Sequence, residues 1–282
     1  MSWDIGGVRI TRVTEFVMPF AFDFFAEATP ADVAAERWLS PDFVDSDGRY
    51  LMSLHTYVVE AEGLRIVVDT CVGNAKDRPL IPEFDRQDRP FLTDLAVAGF
   101  APEMIDLVIC THLHVDHVGW NTRLVDGAWV PTFPRARYLF ASNDIDFWAN
   151  SDDPLHSQPF ADSVQPVIDA GLVDAVEGVT TVARDVELRP TPGHTPGHMS
   201  VWIADRCVIT GDALHHPIQC AHPDWTARGD ADPDLARATR TELLCTAAKK
   251  NALMLGTHFA GSSAGHVVSL DDRFRFVPEP IG

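Results

Sequence analysis

Residues 111–120 read Thr-His-Leu-His-Val-Asp-His-Val-Gly-Trp, and they bring three histidines and an aspartate together between His112 and His117. The residues before them, Ile-Asp-Leu-Val-Ile-Cys at 105–110, form a short apolar run that is typical of a buried strand. The polar cluster therefore follows the carboxyl end of a predicted strand. In open α/β sheets, ligand sites lie at this edge.

The residue types in this cluster favour a metal site over a polar loop with surface histidines, which is the other interpretation of the pattern. Imidazole nitrogen and carboxylate oxygen suit zinc, iron, manganese, cobalt or nickel, and no thiolate is needed. His112 and His114 are two residues apart, so in extended chain both point to the same side. Asp116 and His117 follow where the chain turns, and they can face a second ion.

The pattern His112-x-His114-x-Asp116-His117 resembles the signature of the metallo-β-lactamase-fold hydrolases, and four more segments match that superfamily in order. They are Val67-Val68-Asp69-Thr70, Pro192-Gly193-His194-Thr195-Pro196-Gly197-His198, Thr210-Gly211-Asp212-Ala213 and Gly256-Thr257-His258. The resemblance implies an α/β fold class, a four-layer αββα sandwich of the metallo-β-lactamase type. It also implies a single domain over residues 1–282.

Residues 14–50 precede most of these motifs and are rich in aromatic side chains, among them Phe20, Phe22, Phe24, Phe25 and Trp38. Three interpretations stay open for this N-terminal extension. Its rings belong to the core, or they form a lid over the metal site, or they form a dimer surface that would make the protein a homodimer.

The resemblance also implies a set of ligands for two divalent metal ions, zinc in the first place, with iron, manganese or cobalt as alternatives. His112, His114 and His194 would hold one ion, and Asp116, His117 and His258 the other, with Asp212 bridging them. Asp69 would orient a ligating histidine, which we expect to be His112. His198 would support the site without binding metal.

A dinuclear site of this kind predicts a hydrolase that uses a metal-bridging hydroxide. The substrate expected first is a lactone or a carboxylic ester. Asp116 or Asp212 would move the proton to the leaving group. True zinc β-lactamases carry cysteine or serine where this chain has Asp212, which argues against antibiotic hydrolysis. Homoserine lactonases carry a tyrosine where this chain has His215, so His215 is expected to contact the substrate carbonyl instead. The alternatives are a phosphotriesterase or hydrolytic dehalogenase acting on small aromatic substrates and, from another class, a mononuclear iron dioxygenase.

The amino-acid composition indicates which classes of partner the protein has. Asp and Glu outnumber Lys and Arg by 41 to 22, giving a formal net charge of −19 that opposes nucleic-acid binding. The five cysteines are scattered without a C-x-x-C pair, which suits a reducing cytoplasm. No apolar stretch is long enough for a membrane span, and the N-terminus does not resemble a secretory leader. We therefore expect a cytoplasmic enzyme with a small-molecule substrate and no membrane partner.

Local patterns predict the elements that surround the motifs. Residues 8–17, 51–60 and 64–70 are predicted strands, and 121–132 a hairpin around Asp126-Gly127. Residues 91–99, 142–148, 164–171 and 232–251 are predicted helices, and so is a short helix opened by Thr29 and Pro30. Ser142-Asn143-Asp144 is the predicted cap of the second of these, and Asp232-Pro233 opens the last. Trp120, Phe147 and Trp148 are candidates for an apolar pocket wall, with ordinary core packing as the alternative for each. The polar stretch 151–165 is a predicted loop and a candidate for substrate contacts.

Overall fold

The computed structural model describes residues 1–271 and 273–280, and these divide into two units. Unit 1 comprises Met1–Glu15 and Leu54–Gly178, and unit 2 comprises Phe16–Ser53 and the described part of Val179–Gly282. Each unit contributes strands, short helices and its own set of buried apolar side chains. The prediction of a single domain over 1–282 stays a prediction.

The described residues form strands that fall into two seven-stranded sheets and one two-stranded hairpin. The first sheet and the hairpin contain β1 Ser2–Ile5, β2 Val8–Phe20, β3 Tyr50–Ala61, β4 Leu64–Val68, β5 Leu107–Ile109, β6 Thr122–Val125, β7 Ala128–Pro131, β8 Arg137–Ala141 and β9 Val173–Val176. The second sheet contains β10 Thr180–Ala183, β11 Val186–Pro190, β12 Met199–Ile203, β13 Cys207–Ile209, β14 Leu253–Leu255, β15 Ala264–Leu270 and β16 Arg273–Pro278.

In the first sheet the strand order is β1-β2-β3-β4-β5-β8-β9, and β6 and β7 pair with each other outside it. β4, β5, β8 and β9 run parallel. Ile66, Val67 and Val68 of β4 are all buried, as expected for a strand in the parallel part of a sheet with both faces covered. The carboxyl ends of β4 and β5 therefore lie side by side, which brings residue 69 close to the histidine motif.

The second sheet has the order β10-β11-β12-β13-β14-β15-β16, and β13 and β14 are its parallel pair. The segments that contain Asp212 and His258 follow these two strands. Because parallel strands share one carboxyl edge, residues that are distant in sequence come together there.

The helices are short except for the last. They are α1 Pro30–Ala35, α2 Phe91–Val97, α3 Val115–Val118, α4 Ser142–Ala149, α5 Pro154–Pro159, α6 Gln165–Asp169, α7 Ile218–Ala221 and α8 Pro233–Lys250. The predicted start signals are confirmed at α1, where Thr29 and Asp32 form a capping box, and at α8, where the Asp232 carboxylate accepts from the Leu235 amide. None of the described helices is long and apolar enough to cross a membrane.

Three local predictions need correction, and one strand was missed. β4 ends at Val68 rather than residue 70, because Asp69 and Cys71 have φ of 59° and 51° and turn the chain out of the strand. β1 was not predicted; it pairs with β2 through a Gly6-Gly7 turn. Ser142 lies inside α4, not at its cap. The predicted loop at 151–165 contains α5 and a wide helical turn at Phe160–Val164.

The aromatic N-terminal segment contributes to the core of unit 2. Phe25 and Phe43 are fully or almost fully buried there, at 0% and 1% exposure, and Phe20, Phe22 and Phe24 pack against that core while partly exposed. Core packing is therefore observed for part of the segment. Its roles as a lid or as a dimer surface stay predictions.

Candidate metal centre

In unit 1 the donor side chains come from one loop and one helical turn. His112 and His114 follow β5, and α3 contains Asp116 and His117. The rings of His112 and His117 have centroids 3.9 Å apart, and Nε2 of His112 lies 3.1 Å from Nδ1 of His114. Because His112 and His117 are buried, their converging nitrogens form a concentrated donor set in this unit.

Asp69 supports this donor set in a way the sequence did not predict. One carboxylate oxygen lies 3.0 Å from Nδ1 of His117, and the backbone amide of Thr111 donates to the other over 2.7 Å. The Thr111 hydroxyl donates to Asp69 over 2.9 Å and lies 3.1 Å from Nδ1 of His112. The predicted direct contact between Asp69 and His112 is therefore wrong, because Thr111 stands between the two side chains. Asp69 reaches His112 only through that hydroxyl.

Glu15 anchors the chain segments next to the motif, and the sequence analysis missed it. Its carboxylate accepts from the Trp120 indole over 2.6 Å and from the amides of Val72 and Gly73 over 2.9 and 3.3 Å. Burial raises the pKa of Glu15.

The backbones of Gly119 and Val72 also pack closely in this region. A Cβ on Gly119 would lie 1.8 Å from the Val72 carbonyl oxygen, so only glycine permits the two backbones to come so close.

In unit 2 the donor side chains come from separate segments. His194 follows β11, Asp212 follows β13 and His258 follows β14. One Asp212 oxygen lies 3.5 Å from Nε2 of His194, and the other lies 3.2 Å from Nε2 of His258. All three side chains are at most 5% exposed. A carboxylate whose two oxygens face different imidazoles has the geometry expected of a bridging ligand.

His198 contacts the backbone of Asp212. The Asp212 amide donates to Nε2 of His198 over 2.8 Å, and Nδ1 lies 2.8 Å from the Thr191 hydroxyl. Since a backbone amide can only donate, Nε2 is the unprotonated nitrogen and Nδ1 carries the hydrogen. This geometry supports the predicted role of His198, a residue that positions the site without binding metal.

Asp230 is a second residue that the sequence analysis missed. Its side chain is fully buried, and one oxygen lies 2.8 Å from Nδ1 of His194. The other oxygen accepts from the Ala227 amide and lies 3.5 Å from the guanidinium of Arg240. Arg240, itself fully buried, donates to the carbonyl oxygens of Ala213, Pro223 and Trp225. Asp230 lies in a loop with no periodicity or motif, so the sequence held no signal for it.

His215 lies beside Asp212 as well. Its Nε2 is 3.2 Å from the Asp212 oxygen that faces His194, and its ring centroid is 4.7 Å from that of His194. Phe24 and Phe25 contact the ring edge-on, at centroid distances of 5.3 and 6.4 Å. The structure thus places this predicted catalytic residue among the donors of unit 2.

The predicted pocket aromatics have different surroundings. Trp148 lies against His114 and His156, with ring centroids 5.3 and 4.1 Å away, and half-exposed Phe147 packs edge-on against it. Trp120 is stacked on Phe91 in the core. Of the aromatic residues predicted to line a pocket, Trp148 therefore lies next to a donor histidine. Trp120 instead packs in the core, which was the alternative interpretation.

Both donor sets fit divalent metal ions on their own chemistry. In unit 1 the Asp69 carboxylate and the Thr111 hydroxyl lie beside the outer ring nitrogens of His117 and His112, and in unit 2 the Asp230 carboxylate lies beside that of His194. Metal-binding histidines are held in this way, because the outer partner fixes the tautomer and raises the basicity of the ligand nitrogen.

Comparison with known proteins agrees with this chemistry. Residues 51–273 match the family model of the metallo-beta-lactamase superfamily. An N-acyl homoserine lactonase of Bacillus sp. is 29% identical over 163 residues, which cover 52% of this chain and only 56% of that relative. An N-acyl homoserine lactonase of Bacillus thuringiensis is 25% identical over 245 residues, covering 80% of this chain and 85% of the relative.

Two solved structures superpose over the whole chain. One is the hydrolase AbOPH of the beta-lactamase superfamily, at a TM-score of 0.81 and 22% identity, covering 100% of this chain and 97% of the other. The other is AidC, a dizinc quorum-quenching lactonase, at a TM-score of 0.81 and 21% identity, covering 100% of this chain and 98% of the other. These likenesses show the fold, and the predicted α/β fold class of the metallo-β-lactamase type is confirmed. With a family model that matches residues 51–273, this chain belongs to the metallo-β-lactamase superfamily.

Proposed function

We propose that the protein is a metal-dependent hydrolase that opens a lactone or a similar carboxylic ester. The observation that carries the proposal is the Asp212 carboxylate, which turns one oxygen toward His194 and the other toward His258. The matched relatives named N-acyl homoserine lactonase support the substrate class. AidC, described as a dizinc lactonase, supports the number of metal ions.

The proposed ligands for two divalent ions are the seven residues expected from the motifs: His112, His114, Asp116, His117, His194, Asp212 and His258. Zinc is the proposed metal, since histidine and carboxylate donors suit it. When bound, such ions lower the pKa of water to about 7 and polarise the oxygen of the substrate.

The side chains of the protein supply position and proton movement. Asp230 fixes the ring of His194, and Asp69 fixes His117 directly and His112 through Thr111. Asp116, whose carboxylate is 3.7 Å from Nε2 of His117, and Asp212 are the groups proposed to move a proton to the leaving alkoxide. Because five of the seven donors are buried, and His114 and Asp116 are partly buried, bulk water is kept from most of their surface.

The aromatic surroundings of His114 favour a second candidate substrate class. Trp148 and His156 place two flat rings beside that histidine, and such rings suit an aromatic leaving group. A phosphotriester or aryl ester is therefore the alternative to an aliphatic lactone.

The test is metal content of protein purified without added metal, paired with hydrolysis of a panel of substrates: an aryl ester, a homoserine lactone, an aromatic lactone, a phosphotriester and a cephalosporin. Two zinc ions per chain with lactone or ester turnover is the expected result. One iron per chain with oxygen consumption would contradict the proposal and favour the dioxygenase class.

We also propose that the protein works in a reducing compartment such as the cytoplasm. All five cysteines are free, and Cys71, Cys110, Cys207 and Cys220 are buried. Burial raises the pKa of each of these four thiols, which keeps them protonated and unreactive. The net charge of −19 supports the absence of nucleic acid among its partners.

A further inference from the structure

We propose that His215 is an additional metal ligand, and that His194, Asp212 and His215 form a three-donor site for one divalent first-row cation within unit 2. The inference rests on the proposed metal-dependent function and extends its ligand set by a residue that the family motifs do not include. It replaces the contact with the substrate carbonyl that the sequence predicted for His215.

The distances fit ligation. Nε2 of His215 and Nε2 of His194 lie 3.2 and 3.5 Å from the same Asp212 oxygen, and the three donor atoms all lie within 4.8 Å of one another. Nitrogen and oxygen ligands about 2.1 Å from a tetrahedral ion are roughly 3.4 Å apart. Both histidine nitrogens therefore lie at the separation from the Asp212 oxygen that neighbouring ligands of a single ion have, and they are within 4.8 Å of each other.

The charge arrangement calls for a cation among these donors. Since Nδ1 of His194 faces the Asp230 carboxylate at 2.8 Å, that nitrogen carries the hydrogen and the neutral ring presents a lone pair at Nε2. This lone pair faces a buried carboxylate oxygen of Asp212. A divalent cation between these atoms would balance the charge of the carboxylate, and Nε2 of both histidines would complete its ligand set.

The three side chains are held in place before any ion binds. Asp230 fixes His194, and the amide of Asp212 is tied to His198. The backbone amide of His215 donates to Gln219 over 2.8 Å, and Phe24 and Phe25 contact the ring of His215 at its edges. A site whose ligands are already immobile loses little conformational entropy on binding.

Two imidazoles and one carboxylate are a donor set that zinc, iron(II), manganese and cobalt accept, with positions left for water or substrate. The consequence is specific. Unit 2 should retain one ion when the histidines of unit 1 are removed, whereas with His194 and Asp212 alone retention should be much weaker.

The experiment uses the full chain, stripped of metal with a chelator and titrated with Co²⁺, followed by visible absorption and equilibrium dialysis. A quadruple variant, His112→Ala, His114→Ala, Asp116→Ala and His117→Ala, removes every donor of unit 1 and leaves only those of unit 2. We expect it to bind one Co²⁺ per chain. Adding His215→Gln, which keeps an N–H donor for Asp212 but removes the imidazole, should weaken this binding more than the roughly 10- to 100-fold expected for loss of an outer hydrogen-bond partner.

His266→Gln in the same quadruple variant is the matched control, because His266 lies on β15 and outside the donor set of unit 2. It should leave Co²⁺ binding unchanged. Equal Co²⁺ affinity with and without His215→Gln would overturn the inference and leave His215 as a hydrogen-bond partner of Asp212.

Circular dichroism shows whether the quadruple variant folds. If it does not, the single variant His215→Gln tests the inference. It should weaken one of the two Co²⁺ sites and change the cobalt absorption bands. Unchanged bands and unchanged affinity would refute the inference. Failure of the proposed function is distinguishable, because the unaltered protein would then bind no divalent ion tightly or would hydrolyse none of the esters and lactones in the panel, whatever His215→Gln does to Co²⁺ affinity.

Discussion

The donor sets of the two units are built in opposite ways. Unit 1 takes its donors from one stretch, His112 to His117, after a single strand. Unit 2 takes its donors from three separate segments, containing His194, Asp212 with His215, and His258, which follow three different strands of its sheet. A local set is visible in sequence as a motif, whereas a distributed set depends on strand order to come together.

The supporting residues differ in the same way. In unit 1 the hydroxyl of Thr111, next to the motif, donates to Asp69 and also lies beside Nδ1 of His112, so it connects the two side chains. In unit 2, Asp230 and Arg240 reach the site from a loop and from α8. Substitutions should therefore affect metal binding in both units, but stability most at Asp230 and Arg240 of unit 2, which form a fully buried pair of opposite charges.

The largest effect is expected from the donors themselves. His112→Ala in unit 1 and Asp212→Ala in unit 2 should each lower kcat/KM by on the order of 10³-fold or more, a loss of about 4 kcal/mol in transition-state stabilisation. Both should also lose metal, as measured by elemental analysis. Asp205→Ala, which removes an exposed carboxylate of the second sheet's β12–β13 turn, is the control. Retained turnover in either donor variant would defeat the mechanism.

The next largest effect tests the buried network of unit 2. Arg240→Met should lower the free energy of unfolding by about 3 to 5 kcal/mol, because it leaves Asp230 without its cation and three carbonyl oxygens without their donor. Urea denaturation measures this loss. Arg237→Met, on the same helix but about one-third exposed, should cost less than about 1 kcal/mol. Similar losses in the two variants would argue against a supporting role for Arg240.

The carboxylates that orient histidines allow a matched comparison. Asp230→Asn and Asp69→Asn should each weaken metal binding by about 10- to 100-fold. Asp230→Asn should also destabilise the protein, because Arg240 loses its charged partner. Asp69→Asn should not be strained, since asparagine tolerates the φ of 59° at that position. Isothermal titration of metal-free protein measures the metal affinity, and thermal unfolding measures the stability. Equal destabilisation by Asp230→Asn and Asp69→Asn would contradict the contrast between the units.

The smallest effect concerns a buried lysine of unit 1. Lys76 is fully buried, donates to the Thr122 hydroxyl and lies over the ring of Trp129. Burial, helped by nearby Arg78 and opposed by the attraction of Asp162, lowers the pKa of Lys76 to about 7. Between pH 7 and about 10.4 the unfolded chain binds this proton and the folded chain does not, so the lysine makes stability rise with pH.

Lys76→Met should remove that contribution, which is at most about 1.4 kcal/mol per pH unit. The measurement is the free energy of unfolding from pH 7 to 10 in the unaltered protein and in the variant. Exposed Lys249→Met is the control and should leave the slope unchanged. A slope that Lys76→Met also leaves unchanged would show that Lys76 stays charged in the folded state.

Much of the site could be predicted because its donors sit where local rules apply. Buried strands are short apolar runs, and the residues that follow them carry the histidines and aspartates in recognisable spacings. Capping residues mark α1 and α8, and the Asp126-Gly127 turn between β6 and β7 has the positive φ values that its sequence predicts. These features depend on a few neighbouring residues, so the sequence alone determined them, together with the superfamily.

The tertiary structure decided the contacts between residues distant in the chain. Glu15 reaches Trp120 across 105 positions, Asp230 reaches His194 across 36, and Arg240 lies beside Asp230 only because α8 packs against that loop. Asp69 contacts His117 and Thr111 instead of His112, since the chain turns at residue 69 and the neighbouring strand presents Thr111 first. A buried carboxylate takes whichever donor the packed backbone brings within about 3 Å, and no local pattern encodes that choice.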